Sequence, residues 1–329
     1  IDASVSEDTT LVLTISDGLY FLGTASATMT VKNLAAPAGY NTWVAAAAGK
    51  ASVAQNWSEG RVPNSTDNIL LDGRFSTAAM EWDGGVNGLS DTVASWTQAA
   101  DYTGTVTFDT TYPTAATVFT NFTVTGDAQI LAGTWTHQPN AAVQSNRLCV
   151  AVGGDFTLAT GTKLDAYGKG FAAGKFPAGS TYGAHAASYD GYAKVYGDVY
   201  KPTDLGAGAQ SGLAGGGAIW LEVGGAAAIN GTVDVRAPSA DAQMGAAGSF
   251  FLQAASCSGA GSIYAYMDNK YSGARGSGGR VAIALTSATT LAFPTANIKV
   301  SGSCNGSAAG GGTIVVKTAG QTHGTLILD

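Results

Sequence analysis

The side chains best suited to chemistry are sparse in this chain and widely spaced. Its three histidines, His137, His185 and His323, show no His-x-His or His-x3-His spacing, so they offer no zinc motif. The three cysteines, Cys149, Cys257 and Cys304, fit no zinc pattern and are too few for a disulfide scaffold. Cys257 and Cys304 each follow Ser in a Gly-rich turn, which makes them the candidate disulfide; the alternative is three small buried side chains. No Gly-x-Ser-x-Gly elbow and no Walker-type loop occurs. The Gly-rich runs lack the following helix that would present amides to a phosphate.

The densest reactive group falls in a Gly-rich stretch, 168–215: Tyr182, His185, Tyr189, Asp190, Tyr192, Lys194, Tyr196, Asp198 and Tyr200. Tyr and His beside a groove can act as base and acid on a sugar ring, the chemistry of a polysaccharide lyase or hydrolase. The plainer reading packs the tyrosines down to hold the loop, with their hydroxyls satisfied there. As a binding platform, Tyr182, His185, Tyr189, Tyr192, Tyr196 and Tyr200 would suit a surface glycan. Asp190, Asp198 and Asp204 sit among many carbonyls, a donor set that could take calcium, the one cofactor the sequence suggests. Asp165 and Asp234 could lie on neighbouring coils as a carboxylate pair. Each follows an alternating strand, which fits an exposed side chain better.

What must position these groups is a repeat. Gly-Gly or Gly-Ser opens an alternating strand at Gly216, Gly248, Gly278 and Gly311, at intervals of 32, 30 and 33 residues. Gly153-Gly154 before Phe156-Thr157-Leu158 reads as an earlier opening of the same kind. A second strand follows inside most repeats, as in Gly231–Val235 and Gly261–Ala265. Such a unit cannot bury its apolar face alone, but stacked copies can. The reading is therefore all-β, a parallel β-helix (β-solenoid) over 41–329, with 168–215 as a long insertion. An antiparallel sandwich gives no reason for a period near 32 residues. Residues 1–40 read as a separate β-strand segment, with strands at 10–15, 20–22 and 28–31. Little helix is expected beyond Val44–Ala48.

Composition narrows the classes further. The 329 residues are 45% apolar, only 12% charged, and include 46 glycines without a three-residue period. That excludes a disordered chain and collagen. A net charge of −7 argues against a nucleic-acid partner. No run of 18 apolar residues suggests a membrane span. The chain begins with Ile1, so either a removed leader or an excised fragment is expected, and the Gly/Ser/Thr-rich composition fits an exported protein.

Several segments resemble one group of proteins: Tyr196–Gly206, Gly215–Val223, Ile229–Val235 and Gly276–Ile283, with Asn56–Pro63 like the entry to such a helix. They are similar to Gly-rich, adhesin-like exported bacterial surface proteins with parallel β-helices. The resemblance implies architecture and an extracellular or cell-surface location, and no single chemistry.

The functional expectation is a structural protein rather than an enzyme. A solenoid has open ends that invite strand pairing. Leu11, Leu13 and Ile15 near one terminus, and Leu326 and Leu328 near the other, lie on apolar strands that could join copies head to tail into a filament, sheath or surface layer. The alternatives are an adhesin or carbohydrate-binding module and, third, a polysaccharide lyase or hydrolase.

Overall fold

Alternation along each strand sends every second side chain inward, and stacking turns these inward rows into a continuous core. The computed structural model describes residues 9–14, 26–31, 35–110, 122–178, 195–210, 212–240, 243–267, 276–302 and 310–328. It divides into two compact units, Ile1–Ala38 and Gly39–Asp329. In the first, Thr9–Thr14 pairs antiparallel with Ser26–Val31, placing Leu11 opposite Met29 and Leu13 opposite Ala27. Ile15 and the strand expected at 20–22 lie outside the described residues.

The second unit is a parallel β-solenoid of about seven turns, built from three sheets. The first sheet runs through Thr92–Val93, Phe122–Val124, Leu148–Val152, Ala218–Val223, Ser249–Ala254, Arg280–Leu285 and Thr313–Lys317, and ends on antiparallel Thr325–Leu328. The second contains Asn41–Thr42, Asn68–Leu71, Ser95–Gln98, Ala128–Ile130, Phe156–Leu158, Ala226–Ile229 and Ser256–Ser258. The third contains Gly49–Lys50, Met80–Trp82, Thr105–Phe108, Thr134–His137, Lys163–Asp165, Thr232–Asp234, Ser262–Tyr264 and Ile298–Lys299. Leu221, Leu252 and Ile283 stack in register, 31 residues apart.

The repeat read from Gly216, Gly248, Gly278 and Gly311 is the corner entering the first sheet. There the backbones of successive coils pass too close for a side chain. A Cβ on Gly248 would stand 1.8 Å from the Gly217 carbonyl oxygen. Gly153-Gly154 is a different corner. Phe156–Leu158 belongs to the second sheet and aligns with Ala227–Ile229, so this glycine pair matches Gly224-Gly225 and not Gly216-Gly217. Both corners need glycine for the same reason: a Cβ on Gly224 would lie 2.3 Å from the Gly153 oxygen.

The helix expected at Val44–Ala48 is absent. These residues are extended or bent between strands of the second and third sheets. Trp43 donates its amide to Leu70 and Gly49 donates to Ala79, so the flanking ladders hold the alanine run as a coil corner. Among the described residues only three short 3-10 turns are helical, and no helix is long and apolar enough to cross a membrane.

One core cluster runs from Trp43 to Ile314. Its early coils are filled by aromatic rings in contact: Trp43–Trp57 at 5.2 Å, Trp82–Trp96 at 5.5 Å, Trp96–Trp135 at 5.5 Å and Phe108–Phe122 at 4.7 Å between centroids. The Trp57 indole donates to Ala51 C=O and that of Trp43 to Ala78 C=O, which seats both polar edges. From Ala218 onward the interior is mostly Val, Ile, Leu and Ala, with Phe250 and Phe293.

Candidate functional site

Among the described residues the first sheet has the longest strands of the solenoid, and these are buried on both faces. In Ala218–Val223, Ser249–Ala254 and Arg280–Leu285 five of six residues are buried. Ile219, Phe250 and Val281 point into the core, while Trp220, Phe251 and Ala282 point out, beside Cys149 and Val315. Trp220 and Phe251 stack at 4.1 Å. The buried Arg147 guanidinium lies over Trp220 at 5.9 Å. The Cys149 thiol belongs to this outer layer, and burial raises its pKa to about 11, leaving it a poor nucleophile.

The insertion is fastened across this outer face. Arg280 extends from the sheet and donates to the Tyr196 carbonyl at 2.9 Å. The Tyr196 hydroxyl donates to Leu205 C=O at 2.7 Å, Leu205 N–H to Gln144 Oε1 at 3.0 Å, and the Ser249 hydroxyl to Asp204 C=O at 2.6 Å. Leu205 also packs with Phe171 and Ala218. Burial, with the nearby Asp204 charge, pushes the Tyr196 hydroxyl well above its ordinary pKa. Burial likewise raises the Asp204 carboxyl, against the pull of Gln144 and Arg280. Tyr196 and Asp204 therefore anchor the loop.

Beside this anchor the insertion leaves a cleft of about 430 Å3. Three strands supply its base. Phe251, Ala282 and Val315 form one register row; Gln253, Ala284 and Lys317 form the next. The two alanines on the middle strand stand between longer side chains on either side, and that difference in length makes the trough. Tyr200 and Lys201 form one wall, Thr322 and His323 the other. Asp198 Oδ1 accepts the amides of Tyr200 at 2.6 Å and Lys201 at 3.2 Å, so this carboxylate shapes the wall by closing a tight turn.

The residues expected from sequence divide accordingly. Tyr196 is an anchor and Tyr200 a half-exposed wall of the cleft. Tyr182, His185, Tyr189, Tyr192, Asp190 and Cys304 lie outside the described residues. Cys257 is a free thiol in the core, raised by burial to about 12. Asp198 and Asp204 are engaged as above, and among the described residues no three His, Cys, Asp or Glu side chains converge as a metal set. Asp165 and Asp234 do face each other on neighbouring coils. Asp234 is buried and ion-paired with Arg236 at 2.6 Å, and Asp165 accepts the Tyr167 amide at 2.9 Å, so both carboxylates serve local structure. His137 is fully buried, its Nδ1 2.7 Å from Gln138 C=O, and burial drives its pKa down to about 3. It cannot titrate as a catalyst near neutrality.

Two surfaces escape a linear reading. One is the cleft, assembled from positions 200 to 323. The other is on the third sheet, where the Arg236 guanidinium lies 5.5, 5.1 and 5.2 Å from the rings of Tyr167, Tyr264 and Tyr266. Tyr264 and Tyr266, spaced by two, were the available signal for a shared outward face.

At the chain's other extreme, Thr325–Leu328 is the edge strand of the first sheet, with Leu326, Ile327 and Leu328 exposed by 52%, 37% and 73%. Register sets Leu326 against Val315 and Leu328 against Thr313, on the outer face, and Ile327 against the core residue Ile314. These features define a three-sheet parallel β-solenoid with one doubly covered face and an apolar edge. Comparison with protein-family models, curated proteins and solved structures finds no match to this chain.

Proposed function

We propose that the chain is a structural subunit of the cell exterior, an adhesin-like solenoid whose copies join head to tail through β-strand contacts. The observation that carries this reading is the edge strand Thr325–Leu328. It is paired on one side only among the described residues and exposes three consecutive large aliphatic side chains. Soluble proteins commonly blunt such an edge with charge, proline or a bulge. Here none of the four residues carries charge. The amino-terminal strand pair adds support, because among the described residues its two strands pair only with each other, and a two-stranded sheet gains by adding to another sheet. A heterologous contact of this kind propagates into a filament or sheath. The low charge, the glycine-rich corners and the resemblance to exported surface proteins support an extracellular place of work. On this reading the chain carries out no catalysis.

Electron microscopy of the purified chain at neutral pH tests it. Filaments or sheets with a constant axial repeat are expected. Dispersed single rods at all concentrations would sink the reading. Lysine at both Leu326 and Leu328, or at both Leu11 and Leu13, should disperse the assembly while leaving the solenoid folded.

A further inference from the structure

We propose that the cleft over the first sheet binds an acidic polysaccharide, a chain of uronate sugars. The argument is independent of self-assembly. The protein as a whole is acidic, with a net charge of −7. Yet among the described residues the cleft is lined by Lys201 and Lys317, together with His323, and by no carboxylate. Glu222, the register neighbour of Gln253, lies one strand beyond the lining. A basic recess on an acidic surface selects for an anion by its local field.

The remaining lining suits a sugar. Tyr200 is half exposed, and its Asp198-capped turn fixes the backbone from which the ring projects. An amphipathic ring of this kind offers a flat apolar face to the C–H face of a pyranose and a hydroxyl at its edge. Gln253 can both donate and accept toward sugar hydroxyls, and Thr322 adds one more hydroxyl. Lys201 and Lys317 come from separate segments, the insertion and a base strand, and each offers a point charge to a carboxylate of the polymer. The cleft's volume, about 430 Å3, falls in the range of small-ligand sites. The two alanines keep its floor low, so a chain can lie across the strands.

The test is titration calorimetry of the full chain with oligogalacturonate and oligoglucuronate, a neutral oligogalactan, and a single-stranded DNA oligonucleotide of matched charge. The comparison protein carries both Lys201→Gln and Lys317→Gln, and a second carries Tyr200→Ala. All three positions are exposed, so melting temperatures unchanged from wild type will show that the variants fold. At least one uronate oligomer is expected to bind, the neutral oligomer at least tenfold more weakly. The double lysine variant should lose at least tenfold in affinity, and the tyrosine variant several-fold. Failure of both uronates to bind at millimolar concentration overturns the proposal. So does equal binding by the lysine variant or by the neutral oligomer. Tighter binding of the DNA at the same residues would replace the glycan with a nucleic acid.

Discussion

The coils before the insertion and those after it use one backbone plan with opposite side-chain economies. Between Trp43 and Phe156 the interior is rich in aromatic rings, and the first-sheet strands lengthen from two residues at Thr92–Val93 to five at Leu148–Val152. Between Ala218 and Leu285 the interior is largely aliphatic, and the same sheet has six-residue strands buried on both faces. Large rings let a coil bury much apolar area with few strand residues, roughly 150–250 Å2 for each. Small side chains bury less, so the later coils gain burial outside the coil, beneath the insertion. The lesson is that a coil can gain burial either from large rings inside it or from an outer face covered by another part of the chain. The long later strands carry the outer face on which the cleft beside the insertion lies.

The seam between the two regions gives the largest expected effect. The His137 ring is buried next to Gly217, where a Cβ would come within 2.4 Å of Nε2. Its folded pKa of about 3 lies below the unfolded value of 6.5. The unfolded chain therefore binds more protons between these values, and stability falls as pH drops from about 6.5 toward 3. The full loss amounts to about 5 kcal/mol. Asp109, raised to about 6 by burial and then by Glu81, acts in the opposite sense, but its partial exposure weakens that offset. Urea midpoints should decline below pH 6.5 in the wild type and decline less in His137→Gln. A flat wild-type profile from pH 6.5 to 4 would rule this out.

Next comes the contrast in filling. Trp96 touches Trp82, Phe108, Phe122 and Trp135. Trp96→Ala should cost about 3–5 kcal/mol by urea unfolding, whereas Ile283→Val on the far side should cost about 0.5–1.5 kcal/mol. Similar losses at the two sites would mean that the aromatic stack is loosely packed and that the comparison of cores fails. A smaller local effect is expected at the insertion. Replacing Arg280 by Gln removes the charged donor to Tyr196, a bond of about 1.5–3 kcal/mol, and should speed proteolytic nicking within 168–215. Cleavage that appears first within 218–302 would show that the covered sheet, and not the strap, is the weak element.

The repeat was legible from sequence because close coil contact at corners demands glycine, and glycine is visible. Its phase at Gly153 was not, because two corners of one coil make the same demand. The insertion's outline was legible from the break in period. Its chemistry was only partly so. Tyr200 and the anchoring Tyr196 stood out by type, but Lys201, Gln253, Lys317 and His323 come together only when three coils align. Nor does spacing reveal that Asp198 and Asp204 are engaged by backbone amides and by burial, because those partners lie on turns and on distant strands.

The last contrast is between the ends of the solenoid, and its effect on stability should be the smallest. At the first coil, Trp43 bridges Trp57 antiparallel and both rings are buried, so the edge of the second sheet is covered there by its own chain. At the far end Leu326 and Leu328 stand exposed on an edge strand. Replacing both with Lys removes little buried area, so the unfolding free energy should change by less than about 0.5 kcal/mol. Sedimentation should respond far more: the wild type is expected to show mass rising with concentration and the double variant a single monomer-sized species. Lysine at exposed Val53 and Val86 in the early coils is the matched control, and should leave association intact. If the control disperses the assembly as well as the edge variant does, association runs through general apolar surface. An effect confined to the edge pair assigns it to the edge strand, whose outward backbone groups, unpaired among the described residues, supply direction and register that scattered apolar contacts cannot.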